Sequence, residues 1–406
     1  MTGGAAVVTG IGVIAPNGTG IEEFWSATRA GRSGIQPINR FDASGYDVRN
    51  AGEVDDFDTA ASVPSRLVAQ TDRMTHFALA ATEWALADAA ADPKQLPDFE
   101  AAVITANSSG GFEYGQRELA NLWTKGSTYV GAYQSIAWFY AASTGQISIR
   151  HGLRGPCGVI CSEQAGGLDA IAHARRAVRD GTKLVVTGGT DASLCPWGFI
   201  TQIPSGRLST VDDPQRAFLP FDVSAAGFVP GEGGAILIME PAEGAKARNA
   251  RIYGEVAGYG STFDPRPGST REPGLRRAIT MALDDAGMAP GDIDVVYADA
   301  MGIAELDLQE AQAIAAVFGP HGVPVTAPKT MFGRLYAGGA PLDVTAALLS
   351  IRDSVVPPTV SVTQIVAGYQ LDLVMGAPRQ MTVRSALVLA RGYGGFNAAL
   401  ILRAAG

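Results

Sequence analysis

The chain has 406 residues, 47% of them hydrophobic and 17% charged, with a formal net charge of −9. That apolar content is enough for two domains or one duplicated domain. The acidic balance argues against a nucleic-acid or anionic-membrane surface and still allows an acidic carrier met through a local basic patch.

Ala6 to Gly12 is predicted to be a buried strand ending in a glycine turn. Its Thr9-Gly10-Ile11-Gly12 resembles the start of a dinucleotide fingerprint. No third glycine follows in register, and Pro16 breaks the helix that would receive a pyrophosphate. A helix is predicted over Phe77–Ala91 and a strand over Ala101–Thr105, followed by the loop Asn107–Gly111. In the helical segment Phe112–Trp123, positions 112, 115 and 119 share one face within about 60°. Gly115 inside that helix costs about 1 kcal/mol relative to Ala. It predicts that something passes or packs closely there. The aromatic stretch Ala132–Tyr140 reads on composition as a core helix.

Val159–Cys161 is predicted as the next strand, turning sharply at Gln164 into a helix over Leu168–Asp180 capped by Gly181. Such a turn presents one side chain and several backbone N–H groups at a single spot. A nucleophile is expected there, yet Gln164 has a neutral, non-nucleophilic amide. Cys161 precedes it by three residues and is expected on the strand, facing the core as a small hydrophobe. Leu184–Gly189 is a further strand. After the charged linker Glu240–Ala250 the rhythm repeats: strand Arg251–Gly260, helix Leu275–Ala286, strand Val295–Tyr297, and a hairpin of Ala386–Ala390 with Ala398–Leu402. Alternating strands and helices predict an α/β protein around a largely parallel sheet. The halves are expected at 1–245 and 246–406, although their mutual identity is too faint to prove a duplication.

Cys157, Cys161 and Cys195 make no disulfide framework, and no signal segment or run of 18 apolar residues occurs. A cytoplasmic protein is expected. The histidines, His76, His151, His173 and His321, lack metal-ligand spacing, so no metal is expected.

Four segments carry a stronger signal together than alone. They are the Gln164 elbow (Cys161–Ala170), Phe221–Gly234, Pro328–Arg334 and Gly392–Asn397. In this order and spacing, from about Ala6 to Leu402, the chain resembles the β-ketoacyl synthases of the thiolase superfamily. The resemblance implies the thiolase fold, with duplicated βα halves in a five-layered αβαβα arrangement. Condensing members use a Cys nucleophile and two His residues. Here Gln164 stands at the Cys position, and Asp299 and Arg334 stand at the two His positions. Asp307 and Glu310 keep the family's acidic spacing, and Lys329 is retained. A carboxylate at 299 repels an enolate, and an arginine cannot exchange protons near neutral pH. Asp299 and Arg334 are expected to face each other as an ion pair.

The Glu-Gln-Ala-Gly-Gly elbow together with the missing histidines resembles the chain length factors, the ketosynthase β subunits of type II (aromatic) polyketide synthases. Loading ketosynthases also carry Gln but keep both histidines and decarboxylate malonyl groups. The alternative function is therefore a malonyl-carrier-protein decarboxylase acting through Gln164. The favoured resemblance implies a heterodimer with an active ketosynthase α subunit, and an acyl carrier protein as further partner. No cofactor is implied on this chain, only the carrier's phosphopantetheine arm and the growing polyketide. It also implies that Phe112, Gly115 and Leu119, with Ile136 and Trp197, line the tunnel that limits chain length.

Overall fold

The computed structural model describes residues 4–266 and 268–406. Its first half contains β1 (Ala6–Ala15), β2 (Ala101–Ala106), β3 (Cys157–Ile160), β4 (Leu184–Asp191) and β5 (Gly233–Pro241). Its second half contains β6 (Gly254–Phe263), β7 (Val295–Tyr297), β8 (Pro324–Thr326), β9 (Ser385–Gly392) and β10 (Phe396–Arg403). The spatial order is β3-β2-β4-β5-β1 in the first and β8-β7-β9-β10-β6 in the second. Strand directions match as well: β2 is parallel to β3 and β4, as β7 is to β8 and β9. The remaining neighbours in each set are antiparallel. One topology is therefore used twice, which establishes the duplication that identity between the halves left open. A two-residue pairing, Val7 with Glu255 and Val8 with Gly254, joins the sets edge to edge.

Helices fill three layers. α1 (Arg73–Asp88) and α3 (Ala142–His151) cover the outer face of the first set, and α6 (Leu275–Ala286) with α7 (Ala304–Phe318) lies outside the second. Between the sheets run α4 (Gln164–Arg179) and α8 (Gly339–Asp353), which pack on strands of both halves. From Gly339 through Ser350, α8 is buried at every position. That is why its sequence shows no amphipathic stripe.

The glycine motif of β1 has a packing role, and the second half repeats it. A Cβ on Gly12 would stand 1.9 Å from the Ala81 carbonyl oxygen of α1, and one on Gly10 2.1 Å from that of Ala85. In β6, a Cβ on Gly260 or Gly258 would stand 2.2 Å from the carbonyl of Ala278 or Ala282 in α6. In each half an aspartate one turn on in the helix closes the contact. Asp88 accepts the Ile11 N–H at 3.0 Å, and Asp285 accepts that of Tyr259 at 2.9 Å. Bare strand backbone lies directly on helix backbone.

Most strands extend a residue or more beyond their sequence signals, β7 matches its signal and β6 is shifted along the chain by three residues. β3 begins earlier than expected, at Cys157, and ends at Ile160, so Cys161 lies beyond it and is exposed. The expectation of a core-facing cysteine fails because Cys161 lies past the end of β3, which among the described residues is an edge strand with no neighbour on its far side. Ala132–Tyr140 is not a core helix either. Only Gln134–Ala137 is helical, and Tyr133, Ile136, Trp138, Phe139 and Tyr140 are exposed. Among the described residues, no helix is long and apolar enough to cross a membrane.

Because the Gly12 contact is backbone to backbone, neither side can yield by turning a side chain. Gly12→Ala is expected to destabilise the fold by about 3 kcal/mol. Gly244→Ala, in a short helix with nothing within 4 Å of the new methyl, is expected to be neutral or slightly stabilising. Urea unfolding of the two variants measures the difference.

Candidate functional site

The elbow forms as the sequence predicts. Glu163 adopts φ 53° and ψ −134°, an unfavourable region for a residue with a Cβ, and α4 begins at Gln164. The cost is offset by its carboxylate, which accepts the Tyr393 N–H at 2.9 Å. Gln164 itself is fully buried. Its amide lies against the start of α8, where a Cβ on Gly339 would be 2.7 Å from Nε2. Neither amide atom makes a hydrogen bond to the described residues.

The expected ion pair is present. Arg334 Nη1 lies 3.1 Å from Asp299 Oδ1, and both side chains are buried. Nη1 also donates to the Asp299 carbonyl at 2.9 Å, and Nη2 donates to the Arg391 carbonyl at 3.0 Å. The Arg391 N–H donates back to Asp299 Oδ1 at 2.9 Å. Burial lowers the pKa of Arg334, but Asp299 and Glu163 outweigh it and leave the guanidinium pKa above its usual value. The site therefore keeps a fixed positive charge with no proton to exchange.

The two acidic residues that follow Asp299 hold its turn. Glu310 accepts the N–H groups of Asp299 at 2.7 Å and Ala300 at 2.8 Å. Asp307 accepts those of Phe221 at 2.8 Å and Gly302 at 3.0 Å. Burial pushes Glu310 up to about 7 and Asp307 to about 6. Lys329 pairs with Asp343 of α8 at 2.8 Å and donates to the Ala298 carbonyl.

These contacts show why the four sequence segments travel together. Arg334 bonds through its backbone to Val229 and Gly231 of the second segment. Through its side chain it reaches the residue before the fourth, and Glu163 ties the first to the fourth. Sequence reasoning missed the anchoring role of Glu163, and with it that of Asp191. Asp191 accepts from the N–H groups of Ser109 and Ala337 and from the Asn107 amide, bracing the loops on either side of the elbow. No local pattern marks an aspartate at a strand end as the acceptor for two distant loops.

A cavity of about 570 Å³ opens in front of the elbow, lined by Cys161, Glu163, Arg207, Tyr336, Tyr393 and Phe396 among others. Gln164 is not among its lining residues. Burial raises the Cys161 thiol pKa, with Asp191 adding to the effect, so this exposed cysteine is not an activated replacement nucleophile. A larger depression of about 920 Å³ lies beside α6, lined by none of these side chains.

The other candidate residues lie around α2 (Phe112–Lys125) and α5 (Pro196–Gln202). The Trp197 ring covers Gly115, where a Cβ would be 2.7 Å from Cζ3. Phe112 meets the same ring edge-on, with centroids 4.8 Å apart. Phe112, Gly115 and Trp197 thus form one cluster. Leu119, one turn on, is 36% exposed, and Ile136 is 46% exposed on the short helix packed beside α2. The structure does not bring these two into the cluster. Asp72 fixes the start of α2 by accepting the Tyr114 N–H at 2.8 Å, and it caps α1 through the Met74 N–H at 3.1 Å.

Fold and elbow together define a protein with ketosynthase architecture, with Gln164 at the elbow and Asp299 and Arg334 paired. The family model for the N-terminal domain of β-ketoacyl synthases matches residues 5–245, and that for the C-terminal domain matches residues 253–363. The tetracenomycin polyketide synthase ketoacyl synthase beta subunit of Streptomyces glaucescens is 60% identical over 399 residues, 98% of each chain. The actinorhodin polyketide putative beta-ketoacyl synthase 2 of Streptomyces coelicolor is 56% identical over 400 residues, again 98% of each. Among solved structures, the ishigamide ketosynthase/chain length factor superposes with a TM-score of 0.90 at 29% identity, covering 100% of both chains. A type II polyketide synthase acyl-carrier protein in complex with its ketosynthase bound to the hexaketide gives 0.89 at 27% identity, covering 99% of this chain and 100% of that one. The chain belongs to the β-ketoacyl synthase family, on its ketosynthase β (chain length factor) branch.

Two outcomes are expected of the site. Arg334→Met leaves a buried carboxylate unpaired and is expected to cost about 3–5 kcal/mol, much of it recovered when Asp299→Asn is added. Denaturant unfolding of the single and double variants measures both. Asp72 gives a pH test, because burial pushes its carboxyl from the usual range up to about 7. The folded state then holds a proton that the unfolded state has released, so this stabilising contribution is lost as pH rises from about 4 to about 7. Asp72→Asn does not titrate. Its stability relative to the parent is expected to rise by about 1 kcal/mol per pH unit across that window in melts at pH 4.5 to 7.5.

Proposed function

We propose that this chain is the non-condensing subunit of a type II polyketide synthase. It pairs with an active ketosynthase α subunit that supplies Cys and His, and it shapes the tunnel that sets polyketide length. An acyl carrier protein delivers malonyl and growing acyl groups on its phosphopantetheine arm. This chain binds no cofactor of its own.

The observation that carries the reading is the pairing of a sealed pseudo-site with an unpartnered face. At the positions of the condensing residues, a buried amide and a paired aspartate and arginine leave no nucleophile and no transferable proton. Beside them, β3 has no neighbour on its outer edge among the described residues. Trp123 is 81% exposed, and Tyr129, Tyr133, Trp138, Phe139 and Tyr140 add further exposed apolar surface. An apolar patch of this size, next to an open strand edge, fits a stable subunit interface. Phe112 and Gly115 stand on α2, the helix that carries Trp123, and the Trp197 ring packs on them from α5.

Length control then follows from steric exclusion. A chain growing from the partner's cysteine extends until it meets the Trp197 and Phe112 rings, and the free volume before them counts two-carbon units. Leu119 and Ile136 are assigned to the tunnel wall completed by the partner. The decarboxylating reading is less favoured, because Gln164 is buried behind Glu163 and does not line the cavity in front of it.

In the heterodimer reconstituted with an active ketosynthase and malonylated carrier protein, Gly115→Phe is expected to shorten the product by at least one two-carbon unit. A new ring at that position must displace Trp197 into the tunnel. Mass spectrometry of the released polyketides reads the result, and unchanged length would count against the tunnel assignment.

A further inference from the structure

The tunnel reading needs its stop held still. Trp197 is the second residue of α5, a helix of seven residues. The N–H groups in the first turn of a helix have no partner inside it. Pro196 has no N–H, and that of Gly198 reaches only the Cys195 sulfur at 3.5 Å, a weak acceptor. The Trp197 N–H instead crosses to α2 and donates to Gln116 Oε1 at 2.6 Å. Gln116 adjoins Gly115, so this bond lies next to the point where the indole covers the glycine.

Both helices are otherwise held at other points. α2 is anchored at its start through Asp72. It is also anchored by Glu113, which pairs with Arg40 at 2.6 Å, while Arg40 pairs with the buried Glu232 at 2.8 Å. α5 is seated at Gly198, where a Cβ would stand 2.3 Å from the Ser193 carbonyl. Among the described residues, Gln116 to Trp197 is the side-chain hydrogen bond that joins the two helices to each other.

We infer that Gln116 is a positioning residue for chain length. It clamps the first turn of α5 to α2 and so keeps the Trp197 ring on Gly115 as a fixed stop. This rests on the tunnel reading above. Gln116 acts through Trp197 and does not touch the growing chain. Without the acceptor, the first turn of α5 parts from α2, the ring leaves Gly115, and the tunnel deepens.

The test compares Gln116→Leu, similar in size but without an acceptor, with Gln116→Glu, which keeps an oxygen at the same reach. Both are assayed in the reconstituted heterodimer beside Trp197→Ala. Gln116→Leu is expected to move at least half of the product to chains one or more two-carbon units longer, as Trp197→Ala does, while Gln116→Glu keeps the parental distribution. A lower yield at unchanged length overturns the inference, because a merely structural residue behaves that way. Parental length from Gln116→Leu while Trp197→Ala lengthens the product overturns this inference and leaves the tunnel standing. Parental length from both Trp197→Ala and Gly115→Phe overturns the tunnel and this inference with it. Should Gln116→Leu fail to assemble, Gln116→Met carries the same expectations.

Discussion

A carboxylate and a guanidinium enclosed between two sheets must meet each other, and the Asp299–Arg334 pair meets that demand here. Isolated, either charge is costly to bury; together, with backbone groups taking up further bonds, they are tolerated. The pair also sets geometry. Arg334 reaches the Asp299 turn, the carbonyl at the end of β9 and the backbone of Val229 and Gly231. Residues far apart in the chain are held at one point by one residue, through its side chain and its backbone. The buried pair acts as a rivet, and the strained turn at Glu163 lies beside it.

The strained Glu163 turn persists because Tyr393 and the buried start of α4 over-determine it. A rigid elbow still fixes α4, and α4 fixes both sheets. The helix α2 then stands on a stiff support. The length control proposed above needs that stiffness, because a wall that yields by the length of a carbon–carbon bond cannot count two-carbon units.

Much of this was legible in the sequence, and what was not has physical causes. Helix Leu275–Ala286 and strand Val295–Tyr297 were placed to the residue, because their apolar periods are clean and their flanks polar. The meeting of Asp299 with Arg334 was legible too, and the two pair at 3.1 Å. The duplication was not, since packing preserves only a sparse set. Gly10 and Gly12 with Ala81, Ala85 and Asp88 match Gly258 and Gly260 with Ala278, Ala282 and Asp285. Two glycines and three helix positions are too few to stand out from composition in a chain with 50 glycines. Cys161 and the Ala132–Tyr140 stretch lie outside the core that their composition suggests: Cys161 lines the cavity before the elbow, and the aromatics of the stretch are exposed. Apolar residues at a surface look like core to any argument from composition alone.

The same ambiguity sharpens the case of Gly115. A glycine in a helix can make room for a neighbour or for a ligand, and the sequence does not distinguish them. The space that Gly115 leaves is filled by the Trp197 ring. In the tunnel proposed above, that ring is the wall an incoming chain would meet. A larger residue at 115 would then not simply add its own volume to the tunnel, because it first pushes the indole. Length control by such a pair is leveraged: a small change on the helix is converted into a larger displacement at the ring. The position of the stop is then set by whatever fixes α5 against α2, and side-chain size alone does not predict product length.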